Sequence, residues 1–266
     1  MPGGLGPALP RCEFSLCFPE RPVSMSDSSI FDHVRVVLAR PSHPGNIGSA
    51  ARAMKTMGFH RLYLVEPRRF PDSEATALAS GAGDVLDAAT VCSSLEDALA
   101  GCVFSAALTS RRRELAVPMR WVRSASAELA AYAGAGEVAL VFGNETFGLS
   151  NDELALCHMP VMIPANPAYA SLNLAAAVQL VCYELRVAMS EPGLPPAIEF
   201  PPASHHEVEG LVQHFEQALV GSGFLDPNKP RRLIPRLRRL FARARIEKEE
   251  VSFLRGALAS LERKSD

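Results

Sequence analysis

No stretch of this 266-residue chain approaches the roughly 18–20 uncharged apolar residues that span a bilayer, so a membrane-spanning protein is excluded. The segment from Arg11 to Phe18 holds a few apolar residues but lacks the long core of a signal peptide. Cysteine is sparse and scattered. The six residues Cys12, Cys17, Cys92, Cys102, Cys157 and Cys182 form no C-x-x-C pair, and no histidine spacing resembles a zinc site. They read as reduced, mostly buried thiols of a cytoplasmic protein that uses no metal. No G-x-G-x-x-G turn of the dinucleotide-binding kind is present; Gly81, Ala82 and Gly83 form a fragment of one, which reads as structural. The excess of one charge sign is also small, a net −2, and by itself points to no charged partner.

What is present is ordinary globular composition, 48% apolar and 21% charged, in a chain long enough to bury a core without staples. Residues 1–30 carry Gly and Pro without a periodic apolar pattern and are expected to form a disordered extension. Met25, ahead of a Ser/Asp-rich stretch, has the look of a second translation start. From Val34 the pattern changes. The runs 34–40, 61–65, 103–109, 138–142 and 160–163 read as strands, and Ile47 to Met57, Asp72 to Ala82, Leu95 to Ala100 and Ser171 to Met189 as helices. Strands alternating with helices predict an α/β domain over residues 31–190, with a mainly parallel sheet covered on both faces. Residues 191–203 hold five prolines in thirteen positions and are expected to be a semi-rigid linker. Three helical stretches, about 204–221, 230–244 and 247–263, then form a small all-α module over residues 204–266.

Three segments place Gly, Pro and Asn where a strand hands over to a helix. In H-P-G-N-I-G-S-A-A-R-A-M-K-T-M-G-F, His43 to Phe59, Gly45 and Gly48 would let the backbone approach a ligand, and the helix start would offer N–H groups to an anion. Arg52 lies a little over one turn inside. Taken alone, such glycines are more often explained by steric need at the turn. In V-F-G-N-E-T-F-G-L-S-N-D-E-L, Val141 to Leu154, a strand ends at Gly143, Glu145 follows, and Ser150 with Glu153 makes a capping-box pattern. In I-P-A-N-P-A-Y-A-S-L-N-L-A, Ile163 to Ala175, two prolines force a loop before Ser171, Leu172 and Asn173. Ser and Asn at a helix start also serve as plain caps, and Glu145 as a helix-dipole partner.

In this order the three segments resemble the SPOUT superfamily of RNA methyltransferases, in its TrmH-like 2′-O branch. N-I-G-x-x-A-R matches the first motif of that branch, F-G-x-E-x-x-G-L-S the second, and I-P-x…S-L-N-L-A the third. The sequences A-R-A-M-K-T-M-G, A-N-P-x-Y-x-S-L-N-L-A and V-Q-L-V-C-Y-E-L-R, with the tail L-R-R-L-F-A-R-A-R and L-R-G-A-L-A-S-L-E, look like the TrmJ-type enzymes within it. The resemblance implies a deep trefoil knot in the C-terminal part of the α/β domain. It also implies S-adenosylmethionine as methyl donor, transfer to a ribose 2′-hydroxyl, and cytidine or uridine at position 32 of the tRNA anticodon loop as the target. Enzymes of this superfamily pair so that an active site borrows groups from both subunits, which implies a homodimer. Carried over by position, the donor cradle is Leu108, Thr109 and Ser110; Gly143; and Ile163, Ala170, Ser171 and Leu172. Arg52 takes the catalytic position, with Asn46, Glu145 and Asn173 expected to orient it and Ser171 near the reacting hydroxyl. A guanidinium has no free lone pair, so Arg52 is expected to clamp an RNA phosphate and polarise the 2′-oxygen, not to accept its proton.

The tail points to RNA separately. Between Asn228 and Lys248 nine Lys/Arg face the single acid Glu247. Arg231, Arg232, Arg236, Arg238, Arg239, Arg243 and Arg245 alternate with Leu233, Leu237, Leu240 and Phe241, the pattern of a helix with one apolar and one cationic side. Arg111, Arg112 and Arg113 would extend that basic surface towards the donor site. The same reaction on ribosomal RNA, or a knotted RNA-binding protein without activity, stay open as alternatives.

Overall fold

An apolar run buried on both faces is stable as a strand only between parallel neighbours with helices above and below, and each parallel connection needs a crossover. The computed structural model, which describes residues 27–110, 118–190, 200–227 and 232–262, follows that logic. The first half runs α1 (Asp27–Asp32), β1 (Val34–Ala39), α2 (Pro44–Thr56), β2 (Arg61–Val65), α3 (Ser73–Ala79), α4 (Gly83–Asp87), β3 (Thr90–Cys92), α5 (Leu95–Leu99) and β4 (Phe104–Leu108). The second runs β5 (Arg120–Trp121), α6 (Val122–Ala135), β6 (Val138–Phe142), α7 (Asn151–Ala155), β7 (Met159–Met162) and α8 (Leu174–Ser190). The tail adds α9 (His205–Gly221), α10 (Leu233–Ala244) and α11 (Lys248–Glu262).

The seven strands lie in the order β3-β2-β1-β6-β4-β7-β5, and every neighbouring pair is parallel. Every residue of β1, β4, β6 and β7 is buried. Alternation divides them between two cores: Val34, Val36 and Leu38 pack with α2, α6 and α8, whereas Val37 and Ala39 pack with α5 and α7. The chain builds β2 and β3 outward on one side of β1 and the remaining strands on the other. Because all the strands are parallel, the turns after β4, β6 and β7 emerge at one edge of the sheet and leave a crevice between them. The buried pair Ser105 and His158 is matched: Ser105 donates its backbone N–H to His158 Nδ1 at 3.1 Å, and burial beside His205 pushes the imidazole pKa down to about 3.

Several expectations need correction. Disorder does not extend to residue 30, because Asp27–Asp32 is helical and Ile30 and Phe31 pack on the core, Phe31 against Phe59 at 5.3 Å between ring centroids. In the first glycine motif the steric reading holds and the ligand-approach reading does not. Helix α2 starts at Pro44, so Arg52 lies just over two turns in, and both glycines lie within the helix. A Cβ on Gly48 would stand 2.0 Å from the Ala75 carbonyl oxygen, so the glycine lets α2 press on α3. Helix α8 opens at Leu174, not Ser171.

Helices α9 to α11 enclose their own small core of Leu211, Val212, Phe241, Ile246 and Val251. Pro201 and Ala203, expected in the linker, hydrogen-bond to Lys248 and Ile246 and so join this module. Residues 191–199 of the linker and residues 1–26 lie outside the described residues. The module sits against the sheet's amino-terminal rim: His205 donates its backbone N–H to the Cys102 carbonyl at 2.7 Å, and its ring lies 3.2 Å from the Leu156 carbonyl.

Gly48→Ala should destabilise the protein by about 1–3 kcal/mol, the usual cost of overpacking a rigid contact, because backbone must move to admit the methyl group. Urea unfolding checks this; an unchanged midpoint would show that α2 and α3 are not held at that spacing.

Candidate active site

The crevice at the carboxyl ends of β4, β6 and β7 is a cavity of about 320 Å³. Its walls are three turns, one after each strand. Leu108, Thr109 and Ser110 come from the first, Gly143 to Leu149 from the second, and Ile163 with Ala170, Ser171 and Leu172 from the third. All eight residues expected to cradle the donor thus line one space.

Each turn is shaped by local chemistry. A Cβ on Gly143 would meet Gly148 and Leu149 backbone at 2.3 Å, so only glycine lets the second turn fold back on itself. Asn144 closes that turn: its Oδ1 accepts from Thr146 N at 2.9 Å and its Nδ2 donates to the Arg40 carbonyl at 2.8 Å. Asn166 does the same work in the third turn, accepting from Ala168 N at 3.0 Å. Two aromatic rings project from these turns: Phe147, at a position the second motif leaves open, is 75% exposed, and Tyr169, a fixed position of the third, is 78% exposed. No periodic pattern marks a lone ring in a loop, so the loop geometry alone reveals Phe147.

Glu145 sits at the amino end of α2. One carboxylate oxygen accepts from Ser42 N at 2.9 Å and Ser42 Oγ at 2.6 Å. The other accepts from Asn46 Nδ2 at 2.9 Å and His43 N at 3.3 Å. Burial raises the carboxyl pKa, but the hydrogen bonds from Ser42 and Asn46 outweigh it and bring the group to about 2. The anion at this helix start is therefore the chain's own carboxylate. Asn46 Oδ1 accepts in turn from Asn173 Nδ2 at 3.2 Å, while Asn173 Oδ1 caps α8 by accepting from Ala175 N at 2.9 Å. Asn46, Glu145 and Asn173 thus form one chain of hydrogen bonds, as a connected group.

Arg52 is not part of that chain. Its guanidinium is exposed, makes no hydrogen bond or ion pair among the described residues, and is not in the cavity wall. No hydrogen bond runs from Asn46, Glu145 or Asn173 to Arg52 among the described residues; theirs are made to one another and to the starts of α2 and α8. Ser171 is exposed on the cavity wall.

Of the tail cations, Arg232, Arg236, Arg239 and Arg243 are exposed and unpaired among the described residues. Arg238 and Arg245 turn inward, to Glu209 and Glu128. Arg111, Arg112, Arg113 and Arg231 lie outside the described residues.

Known proteins resemble this chain in sequence and in fold. Residues 33–183 match the SpoU rRNA Methylase family, and residues 206–266 match the tRNA methyltransferase TrmJ C-terminal domain. The tRNA (cytidine/uridine-2′-O-)-methyltransferase TrmJ of Pectobacterium atrosepticum is 47% identical over 240 residues, covering 89% of this chain and 100% of the relative. That of Klebsiella pneumoniae is 46% identical over 241 residues, covering 89% and 99%. The crystal structure of TrmJ from Z. mobilis ZM4 superposes with a TM-score of 0.75 at 35% identity, over 86% of this chain and 98% of that one. With one model matching its α/β domain, another its helical module, and full-length relatives at this identity, the chain belongs to the SpoU methylase family and, within it, to the TrmJ-type proteins.

Proposed function

We propose that the protein transfers a methyl group from S-adenosylmethionine to a ribose 2′-hydroxyl of tRNA, at cytidine or uridine 32 of the anticodon loop, in the cytoplasm. The observation that carries this reading is the convergence of all eight cradle residues on one cavity. The residues fit the donor. The space lies at the lower end of the usual range for small-ligand pockets, and its walls mix apolar side chains such as Leu108, Ile163 and Leu172 with polar Thr109, Ser110 and Asn144. The donor, when bound, supplies an activated methyl group on a sulfonium. A trefoil knot around this cavity belongs to the same reading, supported by the parallel sheet and the likeness to TrmJ.

The chain's own work is to hold and align. Glu145, Asn46 and Asn173 lock the second and third turns to α2 and α8, which keeps the cavity walls in place before substrate arrives. Ser171 presents its hydroxyl on the wall where the acceptor ribose enters. Arg52 holds an RNA phosphate and polarises the 2′-oxygen, and the proton leaves to a phosphate oxygen or to water. Transfer RNA is favoured over ribosomal RNA, which the family's description mentions, because the whole helical module matches a tRNA methyltransferase domain. Mass spectrometry of ribose-methylated nucleosides, after incubation with each RNA, decides between the two.

The working unit is a homodimer. Arg52 stands outside its own cavity, which suits a guanidinium lent to a neighbouring subunit, and α8 exposes Leu180 at 41% and Tyr183 at 50%. Light scattering should give twice the chain mass; a fully active monomer refutes this.

Two further outcomes are expected. Arg52→Ala should abolish transfer while donor affinity, read by titration calorimetry, stays within a few-fold; turnover above about a tenth of wild type would remove Arg52 from the chemistry. Replacing Arg236, Arg239 and Arg243 by Ala should weaken tRNA binding and flatten its dependence on salt, by roughly one unit of logarithmic slope for each phosphate left unneutralised. An unchanged slope would mean that α10 does not meet RNA.

A further inference from the structure

The basic helix α10 carries two kinds of arginine. Arg232, Arg236, Arg239 and Arg243 face solvent, while Arg238 and Arg245 are partly buried. Arg238 is committed inside the module, where its Nε and Nη2 reach the Glu209 carboxylate of α9 at 3.0 and 2.9 Å. Arg245 is committed across the boundary between the two folded parts. It forms an ion pair with Glu128 on α6. Its guanidinium also lies over the Phe104 ring at 5.1 Å and the Tyr132 ring at 5.8 Å, and these two rings stack on each other at 4.3 Å.

The backbone at this residue is unusual in a telling way. Arg245 closes α10 with φ of 54°, the left-handed cap conformation that glycine adopts without penalty. A branched or long side chain there must be compensated by its contacts. The turn aims the side chain away from α10 and into the aromatic cradle of the α/β domain. The module is also attached at the start of α9, where His205 meets the Cys102 and Leu156 carbonyls, and α10 packs against α7. Arg245 adds a contact at the carboxyl end of α10, to α6 and β4, which sets the tilt of the helix about those other contacts.

We propose that Arg245 is a positioning residue that does not touch RNA: through Glu128 and the Phe104–Tyr132 stack it holds α10 at a set angle to the α/β domain, so that the four exposed arginines face the RNA that enters the cavity. The proposal rests on the reading of α10 as RNA-binding. It separates Arg245 from the cations beside it in sequence, and it makes Glu128, an acid, necessary for binding a polyanion.

That sign reversal is the test. Full-length Glu128→Gln, Arg245→Gln and the double variant are compared with Arg239→Ala for affinity to unmodified tRNA across salt concentrations. Titration with S-adenosylmethionine reports on the integrity of the cavity. The clamp predicts that Glu128→Gln weakens tRNA binding about fivefold or more although it removes a negative charge, and that the double variant is no worse than either single one. It also predicts unchanged salt slopes for all three, unchanged donor affinity, and a rise in tRNA KM with kcat preserved. Arg239→Ala should lower the slope by about one unit. The clamp is overturned if Glu128→Gln binds tRNA as well as or better than wild type, or if Arg245→Gln flattens the slope as Arg239→Ala does. If Arg239→Ala itself leaves affinity and slope unchanged, the reading of α10 fails, and the clamp with it.

Discussion

A carboxylate at the start of a helix satisfies backbone N–H groups that have no partner within the helix, and it also meets the positive end of the helix dipole. Glu145 does this for α2 from a different element, the turn after β6. It thereby ties together segments about a hundred residues apart in sequence. Asn46 passes the connection to Asn173, and Asn173 caps α8. Without this carboxylate the second turn loses its hydrogen bonds to Ser42, His43 and Asn46, and Asn46 loses the partner that holds it towards Asn173. The charge is costly to bury, yet its hydrogen bonds more than compensate, which is why the group stays ionised well below the ordinary carboxylate range.

The sheet assigns its two ends to different tasks. At the carboxyl ends of the strands, three turns frame the cavity. At the amino-terminal rim, Cys102, Phe104 and Leu156 receive the helical module. Strand β4 joins the two, with Phe104 at one end and Leu108 at the other; at five residues it spans about 16 Å.

Local pattern carried most of the secondary structure. Strands β1, β2, β4, β6 and β7 are continuous apolar runs ended by turn residues, and each was legible for that reason. Strands β3 and β5 were not. They are three and two residues long, largely exposed at the sheet edges, and owe their conformation to a neighbour already in place. Helix α6, rich in alanine and serine, presents too weak an apolar contrast to announce itself, although its buried face packs on α8. In the tail, sequence distinguishes arginine from leucine but not one arginine from another. Arg238 and Arg245 share spacing with Arg239 and Arg243 and differ only in which acid or ring lies opposite.

By itself the sequence determined the α/β alternation, the helical module and the turns after β6 and β7, because strand burial, helix periodicity and turn chemistry act within a few residues; the turn after β4 was named only through the family resemblance. Tertiary structure alone decided what those residues are for. Gly48 faces the Ala75 backbone and not a ligand, Glu145 meets the start of α2, Arg52 stays out of its own cavity, and Arg245 reaches across to Glu128. Each of these outcomes depends on a partner distant in the chain. A side chain's role follows from the group it meets in space, and spacing along the sequence does not encode that meeting.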